Sequence, residues 1–269
     1  MYELSRIRLY SIGPAGARYA DTVLDLRGVG EPVPDPAPTQ AEFFEEEPAG
    51  PPRRPAPAGV LFLENGGGKS VLLKHVIGLE EPDEGEILID GQSIRSSNVM
   101  DRYRLAMVFQ SGALLNSLTV AENVGLYLAE HRLKPPEEIA RIVAEKLQEV
   151  GLKDTQEKMP SELSGGMKKR VAIARALVIE PQLILYDEPT SELDPLSAVR
   201  ISEEIVKLNQ RIQVTSLVVS HDRDLAFGVA DRIAVINEGR ILTIGAPEEV
   251  KHSPDPLVQQ FLKAHFGRE

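Results

Sequence analysis

A chain of 269 residues, 42% hydrophobic and 26% charged, has the composition of a protein that buries a sizeable core, which excludes disorder along its whole length. Thirty Lys and Arg against 41 Asp and Glu leave a net charge of -11, the wrong balance for a broad footprint on nucleic-acid phosphates, so no nucleic-acid partner is expected. The absence of cysteine rules out disulfides and cysteine-bound metals, and fits a reducing compartment.

In chain order, Ile7–Tyr10 and Thr22–Leu26 cluster or alternate apolar residues as short strands do, and they predict a small antiparallel edge sheet. Charges interrupt the opening MYELSRIRLYSIG where a signal peptide carries its apolar region, and no run of about 18 apolar residues follows, so neither export nor membrane crossing is expected. Between about residues 30 and 59 stand nine of the chain's 20 prolines, around the acidic run Glu45-Glu46-Glu47. Proline fixes φ and removes a ladder donor, so a Pro/Glu-rich loop is expected there.

From Val60 the pattern becomes strand VLFLE, glycine turn NGGGKS and helix VLLKHVIGL. The strand-turn unit GEILIDGQSI and the strand LAMVF come next, and then mostly helical sequence from about Val120 to Leu177. The strands LILYDE and TSLVVSH, with helical sequence between and after them, restore the βαβ rhythm of a parallel sheet.

Three segments carry chemistry by their residues alone. In Asn65-Gly66-Gly67-Gly68-Lys69-Ser70, glycines let backbone amides close on phosphate oxygens and the helix start adds its positive dipole end. Lys69 would neutralise the terminal phosphates, Ser70 would bind Mg²⁺, and Val71 continues the cofactor-binding stretch. The full P-loop pattern wants glycine five residues before Gly68, where this chain has Leu63. The strand ending in Asp187-Glu188 places two carboxylates where α/β folds hold ligands: Asp187 for Mg²⁺ and Glu188 to polarise the attacking water. A lone strand ending in Asp-Glu is usually a strand meeting solvent; its pairing with the lysine loop favours the chemical reading. Ser164-Gly165-Gly166 opens a helix with a hydroxyl and free amides, another anion site.

The ordered series NGGGKS, FQ, LSGGM, LILYDEP, SELD and SH resembles the ATPase subunits of ABC transporters. That resemblance implies an α/β P-loop NTPase of ABC type, with a mostly parallel RecA-like core sheet, a small antiparallel β subdomain and an inserted α-helical subdomain. The expected boundaries are 1–59 for the β subdomain with its loop and 60–269 for the ATPase domain. Within the latter, the core covers 60–110 and 173–250, the helical insertion about 111–172, and a last helix 254–266. Gln110 is then the glutamine that touches Mg²⁺ and the attacking water, near the stretch Gln110–Leu118 where a membrane-embedded permease docks. Ser164, Gly165 and Gly166 meet ATP bound to the opposite subunit, Asp194 belongs to the D-loop, and His221 is the switch histidine. A lone histidine ending a strand is more often structural, so His221 rests on the company of the other motifs. Met167 stands where glutamine is commoner and Glu192 where a small residue is usual.

FQSGALLNSLTVAENV, MPSELSGGMKKRVAIARAL and HSPDPLVQQFL are similar to Mla-type and Mce-associated phospholipid transporter ATPases. The resemblance implies a homodimer of ATPase subunits on the cytoplasmic face of the inner membrane, with ATP and Mg²⁺ as cofactors and permease and lipid-binding accessory subunits as partners. Residues 1 to about 70 instead resemble the start of SMC, RecF and RecN-like ATPase heads, through Ile7-Arg8-Leu9-Tyr10, YADTVLDL and VLFLENGGGKS, as a fusion would. Only 95 residues separate Lys69 from Ser164, which leaves no room for a coiled-coil arm. An SMC or RecN-like DNA-associated ATPase and a nucleotide-binding module with impaired hydrolysis stand as the alternatives. The aromatic residue that stacks on adenine is not assigned: Tyr10, Tyr19, Phe43 and Phe44 are candidates, each equally readable as a core or linker residue.

Overall fold

A computed structural model describes residues 6–9, 22–25, 58–63, 69–82, 86–89, 92–95, 103–212, 214–237 and 240–263. The expected Pro/Glu-rich loop and the four candidate adenine-stacking aromatics lie outside them.

Among the described residues two sheets form. The smaller is antiparallel, in the order β2 (Thr22–Asp25), β1 (Arg6–Leu9), β4 (Ile87–Ile89), β5 (Gln92–Ser93). β1 pairs with β2 from Arg6↔Asp25 to Leu9↔Thr22, and on its other edge with β4 through Ile7↔Ile89. The edge sheet expected from the first two strands therefore also recruits the GEILIDGQSI unit, 60 residues and more further along the chain.

The larger sheet runs β10 (Arg240–Gly245), β9 (Arg232–Asn237), β3 (Ala58–Leu63), β8 (Thr215–Ser220), β7 (Leu183–Asp187), β6 (Leu105–Val108). All neighbours are parallel except β10 on β9. β3 starts at Ala58, two residues before the expected strand, because the prolines stop at Pro57 and the ladder donors resume there. Ala58 and Gly59 pair with Ser216 and Leu217.

Both faces of this sheet are covered, which is why its central strands read as continuous apolar runs. Successive side chains alternate between two cores. Leu183, Leu185, Leu217, Val219, Ala234 and Ile236 pack with Leu72, Leu73 and Val76 of α1 (Lys69–Val76), with Ile87 and Ile89 of the small sheet, and with Tyr103. Ile184, Tyr186, Val218, Ile233 and Val235 face the other way, into the larger core built by the remaining helices. The small sheet thus sits with α1 on one face, and the rest of the helices cover the opposite face.

α1 stops where the sequence stops it. Gly78 (φ 76°) takes a left-handed conformation, while Leu79 N–H donates to Lys74 O at 2.8 Å and Gly78 N–H to His75 O at 3.1 Å; this is the paired closure that glycine favours at a helix end. The helical stretch holds α2 (Val120–Glu130), α3 (Pro136–Glu149) and α4 (Gly165–Leu177). Thr119 and Glu122 form a reciprocal capping box at the start of α2. A Cβ at Gly125 would lie 2.9 Å from Ile139 Cγ2, so α2 and α3 approach through a position that only glycine fills. The chain continues through α5 (Pro195–Ile212), α6 (Arg223–Val229), α7 (Pro247–Lys251) and α8 (Pro256–Lys263). No helix among the described residues is long and apolar enough to cross a membrane.

Candidate functional site

Parallel pairing puts the carboxyl ends of four strands side by side. Phe62 of β3 is level with Ser220 of β8, Val219 of β8 with Asp187 of β7, and Tyr186 of β7 with Val108 of β6. The residues that follow these ends come from distant parts of the chain yet share one edge. After β3 the chain passes through Asn65–Gly68, outside the described residues, to Lys69 and Ser70 at the start of α1. After β6 comes Gln110, after β7 Glu188, and after β8 His221.

Glu188 is the best-defined member of the edge. It is 5% exposed and left-handed at φ 46°, a conformation that costs a residue with a Cβ about 1–2 kcal/mol. Three groups on the β8 end hold its carboxylate: His221 Nδ1 at 2.8 Å, Ser220 Oγ–H at 3.1 Å and His221 N–H at 3.3 Å. Asp187 is equally buried. The loop beyond is tied back to the same strand: Thr190 Oγ1–H donates to Asp222 Oδ2 at 2.9 Å, while Asp222 Oδ1 caps α6 by accepting from the amides of Asp224 and Leu225. A buried carboxylate, oriented by a histidine and a serine, can accept a proton from a water at this edge.

The helix α4 presents its start differently. Ser164 is its N-cap and accepts from Met167 N–H at 3.3 Å. Ser164 and Gly165 are exposed. Added Cβ atoms at Gly165 and Gly166 would lie 3.3 Å from Leu193 Cδ2 and 3.5 Å from Ser197, so this end lies beside the start of α5. There Asp194 accepts from the Ser197 and Leu196 amides at 3.0 and 3.1 Å. Hydrogen bonds from Ser197, above all, hold its carboxyl below the usual value. Within one chain Asp194 is therefore a helix cap, with Pro195 at the first helical position. Glu192 takes φ 62° and is exposed.

The stretch Gln110–Leu118 is held from two sides. Asn123 of α2, fully buried, accepts from Leu115 N–H at 2.8 Å and donates its amide towards the carbonyls of Leu115, Leu118 and Thr119 at 2.9–3.0 Å. Arg175 of α4 grips Gly112 O at 2.8 Å and Ala113 O at 2.7 Å. Replacing Asn123 with Ala is expected to destabilise the protein by about 1–3 kcal/mol, because it strands buried backbone groups. Thermal melting would check the cost, and faster amide exchange at Leu115 would show where it falls.

The sequence analysis singles out neither Ser220, Thr190, Asn123, Asp222 nor Lys169. Asp222 carried a signal, an Asp just before an apolar helical stretch. The others take their meaning only from contacts across the fold. Lys169 is 5% exposed, and Arg170 reaches Val150 O and Gly151 O at 3.4 Å.

A family model described as ABC transporter matches residues 59–191. The chain is 43% identical over 203 residues to the "Intermembrane phospholipid transport system ATP-binding protein MlaF" of Haemophilus influenzae, covering 74% of this chain and 77% of that protein. Over 213 residues it is 42% identical to the "Probable ribonucleotide transport ATP-binding protein mkl" of Mycobacterium leprae, covering 77% of this chain. It spans about three fifths of the length of that relative, 61%. Among solved structures, cbiO1 from Clostridium perfringens, described as part of the ABC transporter complex cbiONQ, superposes with a TM-score of 0.72 at 26% identity, covering 97% of this chain and 96% of that one. The ATP-binding cassette MJ0796, in a dimeric post-hydrolysis state bound to ADP and Pi, gives 0.68 at 26% identity over 90% of this chain and 98% of that one. The chain belongs to the ABC transporter family, and its fold is that of the family's P-loop ATPases. Its kinship with the MlaF-type proteins accords with the segments around Gln110, Ser164 and Pro254; none of these similarities supports a kinship of residues 1 to about 70 with SMC heads.

Proposed function

We propose that this chain is the ATP-binding and ATP-hydrolysing subunit of an ABC transporter, and that hydrolysis powers the movement of phospholipid or a similar hydrophobic substrate through separate membrane subunits. The observation that carries the reading is the carboxyl edge, where Glu188 is held by His221 and Ser220 beside Asp187 and Gln110. In this proposal Asn65, Gly66, Gly67, Gly68, Lys69, Ser70 and Val71 cradle the phosphates, and Glu188 takes the proton of the attacking water. His221 orients that carboxylate. Ser164, Gly165 and Gly166, at the start of α4, close over ATP held by a second copy, and Asp194 lies in the same closing surface.

Asp187, Ser70 and Gln110 offer oxygen donors, the kind Mg²⁺ takes. These donors would share the ion with substrate phosphates and water, as Mg²⁺ sites commonly do. Bound there, Mg²⁺ would neutralise charge that develops on the phosphates. The expected ATP turnover therefore stops on chelation with EDTA and returns with MgCl₂; turnover indifferent to EDTA would contradict the role given to Asp187.

The phospholipid assignment is supported by the MlaF-type similarity, and the permease is proposed to dock along Gln110–Leu118. We place the subunit on the cytoplasmic face of the inner membrane, as a homodimer, with lipid-binding accessory subunits as further partners. ATP-dependent phospholipid transfer between vesicles, with the membrane subunits reconstituted and this chain added, tests that part. Transfer that proceeds without this chain or without ATP would overturn it.

A further inference from the structure

Lys169 has no part in the chemistry described so far, yet it is buried and its ammonium group meets three oxygen partners. It lies one turn into α4, and its ammonium group has three protons to donate. One goes to the backbone carbonyl of Gln110, one to that of Glu188 at 3.2 Å, and one to Ser191 Oγ at 3.3 Å. Ser191 Oγ–H in turn donates to Glu188 O at 2.8 Å. The side chain is 5% exposed. Burial pulls its pKa below the ordinary lysine value, while Glu192, Asp187 and Glu188 pull it the other way. A lone lysine buried among carbonyls is costly, and it persists where its hydrogen bonds are all made.

Six residues further along the same helix, Arg175 holds Gly112 O and Ala113 O. One rigid helix therefore grips the 110–113 loop with two cations, and through Lys169 it also grips the backbone on which Glu188 stands.

We propose that Lys169 is a positioning residue that locks the 110–113 loop to the backbone of Glu188 and to Ser191, so that a displacement of the loop displaces the carboxylate. The inference rests on the ATPase reading above, in which that loop is the docking stretch and Glu188 the base. Because Glu188 sits in a left-handed backbone conformation, the fixed carbonyl helps keep its side chain aimed at His221 and Ser220. A shift of about 1 Å in such a group is enough to lower a rate about a hundredfold. Lys169 gives a push on 110–113 a contiguous path to Glu188, of the sort that carries coupling between sites.

The test compares Lys169→Met and Lys169→Arg with the wild-type full chain. Hydrogen exchange is measured first, without nucleotide. Lys169→Met is expected to lose protection by about tenfold or more at the amides of Gly112 and Ser191, which donate to Phe109 O and Glu188 O in the wild type, while amides of β7, β8 and α4 keep theirs. ATP kinetics follow: kcat falls by about tenfold to a hundredfold with KM for ATP within about twofold, and Lys169→Arg, which retains the charge and donors, restores most of kcat. A residue that merely supported the fold would change KM, melting temperature and exchange throughout the protein, and Arg would not rescue it selectively.

Wild-type exchange at Gly112 and Ser191 in Lys169→Met overturns the proposal. So does a loss of protection spread over the whole domain, or an unchanged kcat. Should the wild type itself fail to hydrolyse ATP, the ATPase reading falls, and the exchange comparison still decides whether Lys169 is the lock.

Discussion

Glu188→Gln is expected to lower ATP turnover by about 10²–10⁴-fold, the usual contribution of a positioned general base, with ATP binding retained. The amide has the size of the carboxylate, so the loop from Asp187 to Ser191 should hold its course. What changes is proton affinity: an amide oxygen is far too weak a base to take a proton from the attacking water. The surroundings sharpen the expectation. His221 Nδ1 and Ser220 Oγ both point at the Glu188 oxygens, so the base is fixed in orientation before water arrives, and a fixed base contributes more than a mobile one. Steady-state phosphate release beside a fluorescent-nucleotide binding assay separates the two effects. A variant that hydrolyses within about threefold of wild type would remove Glu188 from its role.

The largest effect on stability is expected at Ile173. It is fully buried on α4, in the larger core that also takes Ile184, Tyr186 and Val218 of the parallel sheet. Ile173→Ala deletes three carbons from a close-packed site and should cost about 2–5 kcal/mol, whereas Ile173→Val should cost about 0.5–1.5. For a chain of this size the larger loss corresponds to a fall in melting temperature of about 5–15 °C. Calorimetry on both variants checks the ordering as well as the size. An Ala variant that melts with the Val variant would mean that the core around α4 collapses to fill the gap, or that this helix is not packed as described.

Much of the fold is legible in the sequence, and for definite reasons. LILYD and TSLVVS read as buried strands because both of their faces are covered, so the runs Leu183–Leu185 and Leu217–Val219 carry no polar residue. The antiparallel edge sheet shows in Ile7–Tyr10 and Thr22–Leu26 because short alternating segments need little context. Its β4 strand is less legible as a partner of β1, since a pairing across some 80 residues leaves no local mark. At the site, Asp187, Glu188, Gln110 and His221 stand at strand ends that pattern alone identifies, and parallel pairing places those ends side by side. What the sequence hides is how they are held. Lys169 lies in a run, Lys168-Lys169-Arg170, that looks like a solvated basic face. It becomes an internal fastening only because α4 lies under the 110–113 loop and the loop after β7. Ser220 and Thr190 are ordinary hydroxyl residues until β7 and β8 bring them to Glu188 and Asp222. Asp194 reads as part of an interface motif, and in a single chain it also caps α5.

In the proposed cycle two copies of this chain close on ATP between the start of α1 in one and the start of α4 in the other, and Glu188 then opens them by hydrolysis. Light scattering of the Glu188→Gln protein with and without Mg-ATP tests it most directly. The mass is expected to double from the 29.5 kDa of one chain when ATP is added, with the wild type returning to its starting mass as ATP is consumed. A Glu188→Gln protein that binds ATP and yet keeps the same mass would contradict it.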